Sequence, residues 1–147
     1  MASFTLERQV AAPPEVVFDV LTDHRNYNRI TPVRRAELER EGDPAPNGVG
    51  AIRVLSLAGP PMREEVLAYD RPRRFSYTLF AGAPVRDHVG TVKLEPRDGG
   101  THVTYAVRAT PTLPFAGAAV IGVMKQAVKT LLGGVAKESE RRTADAR

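Results

Sequence analysis

The hydrophobic period changes once along this chain, and that change limits the architectures open to it. From Val33 to Arg108, short runs of alternating and β-branched residues are broken at brief intervals by Gly, Pro, Asn and Asp, the mark of antiparallel strands joined by turns. Beyond Pro111 and Pro114 the period becomes 3.6. Phe115, Ala118, Ile121, Met124, Val128, Leu131 and Val135 recur at three- and four-residue steps, with Lys125, Gln126, Lys129 and Lys137 largely on the other side. The expectation is a strand meander followed by one long amphipathic helix, from about Phe115 to Arg142. Gly122 and the Gly133-Gly134 pair weaken that helix locally and offer places for a kink or a close backbone approach.

The N-terminal segment supplies one more strand, because Phe4, Leu6 and Arg8 alternate with Ser3, Thr5, Glu7 and Gln9 up to Pro13-Pro14. A helix from about Pro14 to Thr22 follows: a first-turn proline loses no intrahelical bond, Glu15 and Asp19 suit the positive end, and Val16, Val17, Val20 and Leu21 form its stripe. A second short helical piece is expected from His24 to Ile30, with Asp23 as its cap and Pro32 closing it. Six further strands are predicted at Arg34 to Arg40, Gly50 to Leu57, Arg63 to Tyr69, Arg74 to Phe80, Arg86 to Glu95 and Thr101 to Arg108. The fold class is therefore α+β, a seven-stranded antiparallel sheet with two short helices after strand 1 and a long C-terminal helix. The sheet must bury one face, and only the long helix has the apolar surface to cover it. A twisted sheet wrapped around one helix cannot touch it everywhere, so a hollow is expected between them, a ready pocket for a ligand.

The remaining composition narrows the chemistry. The 147 residues suit a single domain over residues 1–147. Without cysteine there are no disulfides, thiolate metal sites or cysteine nucleophiles. The 21 basic and 17 acidic residues leave a net charge of +4 that is spread rather than blocked, and with no Trp and no RNA-binding motif a nucleic-acid partner is not indicated. No uninterrupted apolar run reaches the ~20 residues of a membrane span, and the first residues lack a basic-then-apolar leader. A cytoplasmic protein with no integral membrane association is the expectation. His24, His88 and His102 lie on separate elements, and no HExxH, GxGxxG, Walker or GxSxG sequence occurs, so neither a metal nor a cofactor is implied. What remains is noncovalent binding, with or without acid–base help.

Period-two sorting then nominates the pocket wall. In Arg86 to Glu95, His88 shares a face with Gly90, Val92 and Leu94 and should point inward, with Arg86 near the rim. Tyr77 with Phe75 and Leu79, and Tyr105 with Val103 and Val107, form further inward sets. Tyr27 belongs to the closed or mouth end, and Phe115, Ile121, Met124 and Val128 to the helix side. The alternatives differ by residue: a buried neutral histidine satisfied by one partner for His88, an amphipathic lining with one hydrogen bond for the phenols, and plain core for Phe115, Ile121, Met124 and Val128.

The order of elements carries a likeness to known proteins, and so do four stretches: Ala12-Pro13-Pro14-Glu15-Val16-Val17-Phe18-Asp19-Val20-Leu21-Thr22-Asp23, Gly48-Val49-Gly50-Ala51-Ile52-Arg53, Glu65-Val66-Leu67-Ala68-Tyr69-Asp70-Arg71-Pro72 and Gly99-Gly100-Thr101-His102-Val103-Thr104-Tyr105. Together they resemble the START-related helix-grip superfamily, and within it the bacterial polyketide cyclase/dehydratase and lipid-transport family. The resemblance implies a helix-grip fold with a hydrophobic ligand between sheet and long helix. By position, Leu57 to Pro61 and Gly82 to Arg86 match the loops that close the cavity mouth in the superfamily's hormone receptors. Here both are Pro-rich, and they serve either as a gate or as plain hairpin turns.

Matching against that receptor branch makes the face of Glu64, Val66 and Ala68 the inner one. Arg53, on the adjacent strand with Leu55 and Leu57, would then reach Glu64, because a partly buried carboxylate needs a cationic partner. The opposite assignment, with Ile52 and Val54 inward, sends Arg53 to solvent. Two functions stay open. One is the binding or transport of a small hydrophobic molecule such as a lipid, polyketide or isoprenoid. The other is a cyclase or dehydratase in which His88 and Glu64 move protons in the same cavity. A monomer and a homodimer are both compatible with the sequence.

Overall fold

In the computed structural model, residues 1–57 and 59–146 are described. Strand β1 (Ala2–Val10) leads into helix α1 (Pro14–Thr22), a 3-10 turn (His24–Asn26) and the one-turn helix α2 (Tyr27–Ile30). Six strands follow, β2 (Arg35–Arg40), β3 (Ile52–Ser56), β4 (Met62–Asp70), β5 (Arg74–Ala81), β6 (Val85–Arg97) and β7 (Gly100–Pro111), and then helix α3 (Gly117–Asp145). The strands form one antiparallel sheet in the order β1-β7-β6-β5-β4-β3-β2. This is the helix-grip fold: a single sheet curved around the long C-terminal helix, with the short helices at one end.

Local chemistry explains the N-terminal helices. Pro14 opens α1, and Val17, Phe18, Val20 and Leu21 turn its apolar stripe inward. The Thr22 hydroxyl donates to the Phe18 carbonyl at 2.9 Å and closes the last turn. Asp23 departs from expectation, since its carboxylate does not cap the following turn and instead accepts the Asn26 side-chain amide at 2.6 Å. Phe18 packs edge-on to Tyr69 and Phe75, with ring centroids 5.1 and 6.3 Å away.

Helix α3 has two different halves. Val128, Leu132, Val135 and Ala136 are buried in the core cluster that also holds Phe18 and Phe75, and full burial of each Val or Leu is worth about 2 kcal/mol. Gly134 lies against the Ile30 carbonyl, where a side chain would collide with the backbone, so glycine lets α3 approach α2. The Ala11 amide donates to Glu140 at 3.0 Å and ties this half to the end of β1. The first turns behave otherwise, with Ala118, Ala119 and Val123 exposed. By length and composition alone α3 is apolar enough to cross a membrane; here its apolar residues serve the sheet on one side and border a cavity on the other.

Candidate ligand-binding cavity

The gap between the concave face of the sheet and α3 is open, with a volume of about 420 Å³. Its sheet side is built by Leu55, Leu57, Leu79 and Val107, and its helix side by Met124, Ala127, Val128 and Leu131. Leu21, Tyr27 and the Thr31–Val33 segment close the end beneath α1 and α2. Hydrocarbon dominates; Arg53, Glu64, Tyr77, His88 and Tyr105 on strands β3 to β7 supply one polar group, and Tyr27, Thr31, Gln126 and Thr130 add polar atoms at the closed end and on α3.

At the centre of that polar group is Arg53, 2% exposed and directly opposite Glu64 in the β3–β4 register. Its Nη2 donates to Glu64 Oε1, forming a buried ion pair. Its Nη1 donates to His24 Nδ1 at 3.2 Å. The guanidinium also lies 5.3 Å from the Phe75 ring centroid and 5.1 Å from that of Tyr77, contacts worth up to about 2 kcal/mol each when desolvated. Inward placement of Arg53 is thus made possible by an anion, an imidazole and two aromatic faces. Its Nε is buried without a partner.

The two histidines are both held neutral. Burial, reinforced by the Arg53 charge, pushes His24 well below the usual imidazole range, while an Asn47 side-chain interaction opposes the shift. Since Arg53 donates to Nδ1, the His24 proton sits on Nε2. Nε2 is buried without a partner of good hydrogen-bond geometry. In His88, Nδ1 accepts the Leu79 amide at 2.9 Å, so its proton also resides on Nε2. Burial lowers the His88 pKa, partly offset by the Glu64 charge. His88 therefore presents an N–H to the cavity and keeps no free lone pair.

Three phenols complete the polar end. The Tyr27 hydroxyl donates to the Leu21 carbonyl, and the Tyr77 and Tyr105 hydroxyls bond to each other. Burial raises all three above the ordinary phenol value; the Glu64 charge adds to this for Tyr77 and its phenolic neighbour for Tyr105. Tyr77 lies flat on β6 because Gly90 has no side chain: a Cβ there would come within 2.6 Å of the ring. His88 and Tyr77 have ring centroids 5.4 Å apart.

Of the residues nominated from sequence, Tyr27, Arg53, Leu55, Leu57, Glu64, Tyr77 and Leu79 border the cavity, as do His88, Tyr105, Met124 and Val128. Four do not. Val66 faces the same side as Glu64 but is sealed in the core at 1% exposure. Arg86 has the right parity, but β6 carries a bulge between Arg86 and Val89 with Asp87 at φ +54°, which breaks the alternation. Arg86 consequently stands in solvent beside Asp87. Phe115 precedes the helix, at φ +61° in the turn after Pro114, and is fully exposed. Ile121 is half-buried two residues before the wall, which begins at Val123.

The most consequential residue missed by the sequence reading is His24. Its ring packs at a tilt against that of Tyr27, three positions on, with centroids 4.8 Å apart, and an inward tyrosine at that spacing implies an inward neighbour on the same turn. Thr31 to Val33 were missed because an irregular connection has no period. Of the loop once matched to a gate, Ala58 lies outside the described residues, and Leu57 alone reaches the wall.

The sequence matches the family described as polyketide cyclase/dehydrase and lipid transport over residues 1–140. The chain belongs to that family. No curated protein matches it. Among solved structures, a START superfamily protein from Mycobacterium smegmatis is 15% identical with a TM-score of 0.77, covering 99% of both chains. XoxI from Bacillus cereus is 16% identical with a TM-score of 0.75, covering 95% of this chain and 96% of its own. Protein MLL2253 from Mesorhizobium loti is 20% identical with a TM-score of 0.74, covering 95% and 98%. At such identities the likeness is one of fold, and what this member of the polyketide cyclase/dehydrase and lipid transport family does rests on its own cavity.

Proposed function

We propose that this protein binds, and by reversible binding carries, a small hydrophobic molecule in the cavity between the sheet and α3. The observation that carries this reading is an open volume of about 420 Å³ walled mainly by hydrocarbon, in a size range typical of small-ligand pockets. Apolar area removed from water, at about 25 cal/mol per Å², supplies the affinity, and the few polar groups orient the guest. Membership of a family named for lipid transport and polyketide chemistry fits such a guest.

The cyclase or dehydratase alternative needs a free proton acceptor in the cavity. His88 has its only lone pair engaged by the Leu79 amide, and Glu64 is tied to Arg53. Those commitments favour binding over turnover. Fluorescence titration with the uncharged dye Nile red, followed by its displacement with a panel of single-chain lipids and aromatics, tests the reading. Saturable one-site binding is expected, lost in Met124→Trp, where an indole fills the space beside Val128. Absence of saturable binding, or identical titrations of wild type and Met124→Trp, overturns it.

A further inference from the structure

The charge balance of the cavity bears on which hydrophobic molecules it accepts. Among the described residues that border it, Arg53 and Glu64 are the only ones with formal charge, and each neutralises the other. His24 and His88 are neutral, and the three phenols keep their protons. Among the described residues, no uncommitted cation stands in the wall. A guest carboxylate or phosphate would therefore enter a low-dielectric space with nothing to compensate it, the costliest form of burial. Arg53 cannot be borrowed for the purpose, because releasing it would strand Glu64.

Two neutral donors stand among the hydrogen-bonding groups that β5 to β7 bring to the wall. His88 Nε2–H is a donor with its tautomer fixed from behind by the Leu79 amide. The Tyr77–Tyr105 pair uses one phenolic proton internally and leaves the other free. The His88 and Tyr77 ring centroids lie 5.4 Å apart and the Tyr77 and Tyr105 hydroxyls are bonded, so the rings that carry these donors are neighbours in the wall. Two adjacent neutral donors match the lone pairs of a single uncharged oxygen.

Building on the reading of the cavity as a binding site, we propose that its guest is an uncharged amphiphile whose polar end is a ketone or hydroxyl oxygen, seated on His88 Nε2–H and the free phenolic proton, and that ionised lipids are rejected. A fatty-acid anion and a phospholipid are excluded by charge even where their chains would fit.

Competition against Nile red at pH 8 with dodecane, dodecan-1-ol, dodecan-2-one and dodecanoate tests this on the unmodified protein. The alcohol and ketone are expected to bind more than about tenfold tighter than dodecanoate. Dodecanoate should gain about tenfold in apparent affinity per pH unit on acidification, as its neutral form is the one that enters. His88→Met should weaken the ketone about tenfold more than it weakens dodecane, the worth of one buried hydrogen bond. His88→Gln, which can accept from Leu79 and still donate, should restore most of the loss. Dodecanoate binding within tenfold of the ketone at pH 8, or His88→Met weakening dodecane as much as the ketone, overturns the proposal while leaving the cavity a binding site. Failure of all four compounds and of Nile red to bind removes both readings together.

Discussion

Arg53 and Glu64 stand directly opposite each other on β3 and β4, and their ion pair is enclosed on the concave side of the sheet between His24, Phe75 and Tyr77. Removing either partner leaves the other charge buried without compensation. Arg53→Met and Glu64→Leu should each destabilise the fold by about 3–5 kcal/mol, whereas the double variant should cost clearly less than their sum. Urea unfolding of the four proteins in a double-mutant cycle measures the coupling. Strict additivity would show that the pair does not act as a unit.

Gly90 and Tyr77 form a second dependent pair, since the phenol ring occupies the space a β-carbon at 90 would need. Gly90→Ala should displace the ring, disturb its bond to Tyr105 and cost about 1–3 kcal/mol as overpacking. Nile red affinity should fall in parallel, because Tyr77 borders the cavity. A variant that keeps the wild-type melting temperature and titration curve would show that Tyr77 has room to give.

How much of this was legible in the sequence follows from where a period exists. Along β6 and β7, strict alternation placed His88, Val92, Val103 and Tyr105 correctly as inward-facing, and the 3.6 period of α3 gave Met124 and Val128. Arg86 failed because one extra residue in β6 reverses the parity upstream of His88, and nothing in a two-residue pattern announces a bulge. Phe115 failed because the helical stripe was extended two residues too far, through a turn set by Pro114 and a left-handed backbone. His24 was overlooked because a four-residue helix offers no repeat, although Tyr27 beside it did carry the signal.

His24 is buried as a neutral ring, which gives the protein an acid-sensitive element. Its folded pKa lies well below the unfolded value of 6.5, so between the two the unfolded chain binds the extra proton. The stabilisation is complete above pH 6.5 and is lost as pH falls from there toward the lowered folded value, by up to about 1.4 kcal/mol per pH unit. His88, lowered in the same direction by burial, adds to the slope. Urea midpoints measured from pH 8 to pH 5 should fall below 6.5, and His24→Gln, which can still accept from Arg53, should flatten part of that limb. An unchanged slope in His24→Gln would mean that some other group carries it.

A separate acid limb belongs to Glu138 on α3, at a small cleft bordered by Val20, Asn26 and Ile30. Hydrogen bonds from Arg141, three residues on, and Arg142, four residues on, hold its carboxyl down from 4.5 to about 2. This group contributes stability that is present above its unfolded pKa and is lost as pH falls from there through about 2, well separated from the histidine window. The pairs are partly solvated, so salt should screen them. Glu138→Gln is expected to remove this component between pH 4.5 and 2 while leaving the fall below 6.5 intact, and 0.5 M NaCl should shrink the wild-type component in the same range. Thermal melts across both windows distinguish the two sources. A variant whose entire pH profile shifted uniformly would show that the arginines act on α3 through packing rather than charge.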